Sequence, residues 1–208
     1  MPIRAVLFDF GGVLYQIPDR SWLLRWQRIL RMSQDQTITE IIFSPETSPF
    51  MQAVLEGRIP ENEIWQRLGR RWRLAAPLVA WLQHNAFSRK RMNRPVAEYL
   101  AGLRPRFKTA ILSNAGTEAR RTFSHTFGFD RIVDTMIISA EEGIAKPDER
   151  IYHIALERLG VRPDEALFLD DLAVNVAAAR KLGMRAVQFH NTPQALAEVS
   201  QCLAEAAA

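Results

Sequence analysis

The chain has a single cysteine, Cys202, among its 208 residues. That excludes an intrachain disulfide, and its place near the carboxyl end gives no sign of a reactive thiol. No apolar run approaches the roughly 20 residues needed to span a bilayer. The amino terminus has no basic segment followed by a continuous apolar stretch and a cleavage site, so the expectation is a cytoplasmic protein without membrane contact. A net charge of +4, with no basic stripe or binding motif, does not point to nucleic acid. Internal repeats are absent, and low complexity is confined to the Ala-rich tail. His84, His125, His153 and His190 show no metal-ligand spacing. What is present is an ordinary globular composition, 48% hydrophobic and 24% charged, long enough for one full core domain and a sizeable insertion.

Charge and aromatics are unevenly placed. Residues 16–92 hold eleven arginines and one lysine against seven acids, a net +5 that leaves −1 for the rest, and they contain all five tryptophans, Trp22, Trp26, Trp65, Trp72 and Trp81. Apolar positions recur at helical spacing over 19–32, 39–43, 49–55, 61–68 and 75–81, with breaks at Pro45, Gly57, Pro60 and Gly69. Residues 16–91 therefore read as an all-helical insertion after the first strand. Its aromatics suit a core and most of its arginines a solvated face, with one or two free to meet an anionic substrate. On either side, 1–15 and 92–208 alternate apolar strands, Ala5–Phe8, 108–112, 135–139, 166–169 and 186–189, with helical patterns. Five strands with helical crossovers predict an α/β core with a doubly wound, Rossmann-like parallel sheet.

The first strand is closed by Asp9 and the glycines Gly11 and Gly12, which places a carboxylate at the carboxyl edge of the sheet, where open α/β folds bind ligands. Ser113 and Asn114 follow the second strand, Lys146 comes in the loop after the third, and Asp170 and Asp171 follow the fourth. Together they suggest carboxylates holding a divalent cation, with a hydroxyl, an amide and an ammonium around an oxyanion. Each also has a plainer reading. Ser113-Asn114 suits a helix-leading loop, Lys146 a solvated loop charge, and Asp170-Asp171 an N-cap with a dipole-favoured acid.

Four motifs in this order, D-F-G-G-V at 9–13, L-S-N at 112–114, G-I-A-K-P-D at 143–148 and F-L-D-D-L-A-V-N-V-A-A-A-R at 168–180, resemble those of the haloacid-dehalogenase-like hydrolase superfamily over the whole chain. The insertion resembles the small helical cap of the subfamily with phosphoglycolate-phosphatase-like and dehalogenase enzymes. In motif style the chain is similar to sugar-phosphate phosphatases and to the amino-terminal phosphatase-like part of epoxide hydrolases. The resemblance implies a Mg²⁺-dependent phosphatase acting on a small phosphorylated metabolite, as a monomer or homodimer. Asp9 then matches the nucleophile that becomes an aspartyl-phosphate. Gly11, Gly12, Ser113, Asn114 and Lys146 match the phosphate-binding positions, with Lys146 neutralising Asp9 and the transferring group. Asp9, the Gly11 carbonyl and Asp171 match the metal ligands, supported by Asp170 and Asn175.

One position departs from most phosphatases of the family, which carry a second Asp two residues after the nucleophile as general acid and base. Here it is Gly11, as in some bacterial sugar-phosphate phosphatases. Loss of a positioned acid/base typically costs roughly a hundredfold to ten-thousandfold. Two alternatives follow: a 2-haloacid dehalogenase in which Asp9 attacks carbon, or a degenerate binding protein. Asp19 is the one other acid nearby in sequence that could supply the proton.

Overall fold

A computed structural model describes residues 2–16, 48–88 and 91–206. The helical patterns expected over 19–32 and 39–43, with Trp22, Trp26 and Asp19, lie outside these residues.

Five strands form one parallel sheet: β1 (Ala5–Phe8), β4 (Lys108–Ser113), β5 (Thr135–Ile138), β6 (Ala166–Asp170) and β7 (Arg185–Gln188), in the order β5-β4-β1-β6-β7. β1 is central, with Phe8 in register with Ile111 of β4 and Leu169 of β6. The apolar runs are continuous because both faces are covered. Val6 and Phe8 of β1, with Ile111 and Leu167, join a cluster that includes Val96, Leu100, Val199 and Leu203, from helices α4 (Arg94–Leu103) and α9 (Thr192–Glu205). Ala5 and Leu7, with Leu112 and Phe168, point the other way, into a cluster with Ile151, Tyr152, Leu156 and Ala179 of α7 (Glu149–Leu159) and α8 (Ala173–Lys181). This period-two division of each strand makes the three-layer core. The chain leaves β1 toward β4 on one side and returns to β6 on the other, so the carboxyl ends of these three strands frame the crevice of a doubly wound sheet.

Between β1 and β4, the described part of the insertion contains α1 (Pro49–Leu55), α2 (Asn62–Trp72) and α3 (Ala76–Ser88). Ser48 caps α1, accepting from the Met51 N–H at 3.4 Å, and Pro49 occupies the first turn, where its missing N–H costs nothing. These helices share a separate small core of Met51, Val54, Ile64, Trp65, Leu68 and Leu82. One feature departs from the all-helical reading. Tyr15–Gln16 and Arg91–Met92 pair as an antiparallel ribbon, β2 and β3, that joins the insertion to the sheet domain. Asn93, buried at its exit, donates from Nδ2 to the Val13 carbonyl at 3.1 Å and to Thr192 Oγ1 at 2.9 Å, and its backbone N–H reaches the Leu14 carbonyl at 2.8 Å. Two-residue strands carry no periodicity, which is why the sequence pattern does not reveal them.

The helical stretch after β4 is irregular. It is a short α5 (Ala119–Arg121) followed by a π-turn at Thr122–Thr126. Thr122 Oγ1 donates back to the Glu118 carbonyl at 3.2 Å, and the widened turn carries Phe123 into an aromatic cluster with Phe10. A further short helix, α6 (Ser139–Glu142), begins directly after β5 and takes up the first residues of the expected loop. No described helix is long and apolar enough to cross a membrane.

Candidate active site

Asp9 leaves the end of β1 with only 7% exposure. Its backbone N–H donates to the Leu169 carbonyl of β6 at 2.8 Å, so the sheet itself aims the carboxylate. Phe10 then turns into the core and stacks on Phe123 with ring centroids 3.6 Å apart, with Tyr15, Phe127 and Phe129 around it. This aromatic anchor fixes the loop that follows, and nothing in the motif pattern singles it out.

Lys146 comes from the loop between α6 and α7. It is 5% exposed, and all three of its ammonium protons find acceptors: Asp9 Oδ1 at 2.8 Å, Asp170 Oδ2 at 2.7 Å and the Leu112 carbonyl at 2.9 Å. The solvated-loop reading of this lysine is thereby excluded. Asn114 explains how the loop reaches so deep. Its side-chain Nδ2 donates to the Lys146 carbonyl at 2.8 Å and its Oδ1 accepts the Lys146 N–H at 2.7 Å. The Asn114 oxygen and one of its two Nδ2 protons are therefore committed to the lysine's main chain. Ser113, buried at the end of β4, takes its expected place at the sheet edge.

Asp170 is fully buried and saturated. Its oxygens accept from Lys146 Nζ, from the Leu172 N–H at 2.8 Å and twice from Asn175 Nδ2 at 3.0 and 3.1 Å. Asn175 is held in turn by the Tyr152 hydroxyl, which donates to the Asn175 carbonyl at 3.0 Å. Asp170 thus orients Lys146 and has no oxygen left over for a cation. Asp171, next in the chain, is different. Among the described residues only backbone N–H groups, its own and that of Leu172, reach it. Gly12, at φ +84°, makes room for it, since a Cβ there would lie 2.2 Å from Asp171 Oδ2. Gly12 thus admits this carboxylate, beside the part in phosphate binding that the resemblance implies. Gly11 needs no such allowance, because its φ lies outside the positive region and a Cβ would meet nothing within 4 Å.

Oxygens of Asp9, Asp170 and Asp171 lie within 4.8 Å of one another. Three carboxylates face one ammonium, a deficit of two positive charges in a mostly buried site, and a hard divalent cation on the unsaturated pair Asp9 and Asp171 fits it. The electrostatics register the same deficit. Burial, opposed by the Lys146 ammonium and reinforced by Asp170, pushes Asp9 up to about 7. Burial and Asp170 likewise raise Asp171. Burial would lower Lys146, but the Asp9 and Asp170 carboxylates outweigh it and hold the lysine above its usual range.

Three described arginines of the insertion are spent on its own acids. Arg58 pairs with Glu56, and Arg67 and Arg70 with Glu63, all on exposed surface. Exposed pairs of this kind bind weakly. Two places bring the insertion against the sheet domain: a Cβ at Gly57 would lie 2.2 Å from the Ala140 carbonyl, and one at Gly116 would lie 2.6 Å from Glu61 Oε2. Gly116 lies just past Ser113 and Asn114.

Comparison with known proteins bears on this geometry. The chain is 27% identical over 208 residues to acyl-CoA dehydrogenase family member 10 of Mus musculus, covering 96% of this chain but 19% of that protein. It spans 39% of the bifunctional epoxide hydrolases 2 of mouse, pig and rat that it also matches. It is 26% identical to D-ribitol-5-phosphate phosphatase of Bacteroides thetaiotaomicron, over 91% of this chain and 93% of that one. It is 36% identical to (S)-2-haloacid dehalogenase 4A of Burkholderia cepacia, over 39% of this chain and 35% of that one. Among solved structures, a predicted HAD-like family hydrolase from Porphyromonas gingivalis superposes with a TM-score of 0.77 at 24% identity over 98% of both chains. A HAD family enzyme of B. thetaiotaomicron in complex with magnesium and inorganic phosphate superposes with a TM-score of 0.73 at 21% identity, over 89% of this chain and 93% of that one. These likenesses show the α/β fold. The sequence profile of the haloacid dehalogenase-like hydrolases matches residues 3–183, and the chain belongs to that family of hydrolases.

Proposed function

We propose that this hydrolase is a Mg²⁺-dependent phosphatase of small phosphate monoesters, with 1–15 and 92–208 as the catalytic core and 16–91 as a cap over the sheet edge. The observation that carries the reading is the buried group of three carboxylates and one ammonium at the carboxyl ends of β1 and β6. Its charge deficit matches a divalent cation, and a phosphate ester is the substrate class that such a cation and Lys146 together neutralise. The similarity to D-ribitol-5-phosphate phosphatase along nearly the full length of both chains supports it.

In this mechanism Asp9, Asp171 and the Gly11 carbonyl hold Mg²⁺, which supplies positive charge to the phosphoryl oxygens when bound. A carboxylate oxygen of Asp9 attacks phosphorus as the bond to the departing oxygen breaks, giving an aspartyl-phosphate and an alkoxide that takes up a proton. Water then attacks phosphorus, releasing inorganic phosphate and restoring Asp9. The Ser113 hydroxyl and the backbone of the 113–116 loop bind phosphoryl oxygens. Lys146, fixed by Asp170 and by Asn114, favours the ionised form of Asp9 against its burial and offsets charge on the transferring group without moving between steps. The cap excludes bulk water from the acyl phosphate.

Gly11 favours a second reading. Without a carboxyl to protonate an alkoxide, Asp9 could displace halide from a 2-haloacid, a leaving group that needs no proton, and the local similarity to (S)-2-haloacid dehalogenase 4A points the same way. A phosphate-release screen against metabolite monophosphates, with Mg²⁺ and with excess chelator, run beside halide release from 2-chloropropionate, separates the readings. Phosphate release that chelator abolishes supports the phosphatase. Halide release indifferent to chelator overturns it.

A further inference from the structure

At the opposite end of the sheet from Asp9 lies an open cleft of about 630 Å³, within the roughly 300–1,000 Å³ typical of small-molecule sites. Its wall is basic: Arg4, Arg104, Arg106, Lys108 and Arg158 line it against the single carboxylate of Asp134. The concentration is local, because outside residues 16–92 the chain carries a net charge of −1. Asp134 is already spent. It accepts from the Thr109 N–H at 2.8 Å, from Thr109 Oγ1 at 3.2 Å and from Arg104 Nε at 3.0 Å. Arg106 and Lys108 have no carboxylate within ion-pair distance among the described residues. Lys108 Nζ donates to the Leu159 carbonyl, and Arg106 lies 5.3 Å from the centroid of the Phe107 ring. Arg4 reaches Glu165 only at 3.5 Å, while Arg158 pairs with Glu142 at 2.7 Å.

The Arg4 N–H donates to the Glu165 carbonyl at 2.8 Å and its carbonyl accepts the Lys108 N–H at 2.9 Å, so the starts of β1 and β4 set the main chains of two of these cations side by side. We infer that this cleft is a binding site for a small polyanion, a metabolite carrying two or more phosphate or carboxylate groups. Cations from three chain segments lining one concave surface suit such a ligand, where one exposed arginine would not. A monoanion is too weakly held against salt. The site is separate from the Asp9 cluster: the four residues of β1 lie between Arg4 and Asp9, about 16 Å of extended chain.

Calorimetric titration of the purified full chain with tripolyphosphate and with citrate, in metal-free buffer at fixed ionic strength, tests this. Without metal the Asp9 cluster is net negative and repels both probes. One saturable site is expected, with phosphate and carboxylate preference read from the two probes. An Arg4→Ala/Arg106→Ala double variant should weaken it by about tenfold or more, as should the charge reversal Arg106→Glu. Asp9→Asn should bind as the parent does, and the double variant should keep parental kcat and KM on a monoester. No saturable binding at millimolar probe, unchanged binding in both arginine variants, or loss of binding in Asp9→Asn would overturn the inference. So would binding of poly-glutamate where neither small probe binds, which would assign the cleft to a macromolecule.

Discussion

Replacing Gly11 by Asp asks whether one missing side chain limits this site. The structure allows the substitution. Gly11 has an ordinary backbone conformation and open space where its Cβ would stand. The hydrogen bonds that close the loop belong to its neighbours, Gly12 N–H to the Tyr15 carbonyl at 2.9 Å and Tyr15 N–H to the Phe10 carbonyl at 2.9 Å. The stability cost should therefore stay within about 1 kcal/mol, and metal held through the carbonyl at this position should bind as before. A positioned acid contributes roughly a hundredfold or more where the departing group must be protonated. An alkyl phosphate needs that proton. An aryl phosphate with an acidic phenol leaves nearly unaided, so its gain should be small while bond cleavage limits the rate. The assay is kcat on glycerol phosphate and on p-nitrophenyl phosphate at saturating Mg²⁺, for parent and variant, with melting temperature as the folding control. A folded, metal-binding variant slower on both esters would refute the reasoning, and would mean that the proton comes from another group.

Gly12→Ala places a Cβ on Asp171 at a positive φ, so it should lose roughly 1–3 kcal/mol of stability and about 10–100-fold in Mg²⁺ affinity, read by thermal melting and calorimetry. Asn114→Ala frees the main chain of Lys146 and should lower kcat more than it changes KM, since the amide holds the lysine's loop; an unchanged kcat would show that the loop holds itself. The pH dependence of the metal-free protein has a definite sign. Folded Asp9, raised to about 7, holds its proton more tightly than in the unfolded chain, so its contribution to stability is full below about pH 4 and is lost as pH rises to about 7. Asp171 acts in the same direction. The raised pKa of Lys146 matters only in alkali. Asp9→Asn should flatten this fall, measured as melting temperature against pH in chelator.

The sheet was legible because parallel strands buried on both faces must be apolar over their buried length, and 5–8, 110–112 and 166–169 are. The edge positions of Asp9, Ser113, Lys146 and Asp171 follow from where those runs stop. What was not legible depends on partners distant in the chain. Nothing near Asn114 announces that its amide is taken by Lys146, 32 residues away, or that Gly12 is small for the sake of Asp171. The Tyr15–Gln16 and Arg91–Met92 ribbon exists only as a pair, with no pattern in either half. Among the described arginines of the insertion, Arg58, Arg67 and Arg70 settle on neighbouring acids, a matter of side-chain reach that composition does not express.

The most direct test of the central claim, that Asp9 attacks phosphorus, is to trap the acyl phosphate. Enzyme mixed with Mg²⁺ and an accepted monoester is quenched within one turnover, reduced with borohydride and digested, and the peptide spanning Asp9 is weighed. Reduction of an aspartyl-phosphate converts position 9 to homoserine, and that change at Asp9, absent from Asp9→Asn and from chelator-treated enzyme, is the predicted result. Phosphate release with no homoserine at position 9, or homoserine at Asp170 or Asp171 instead, would contradict the account.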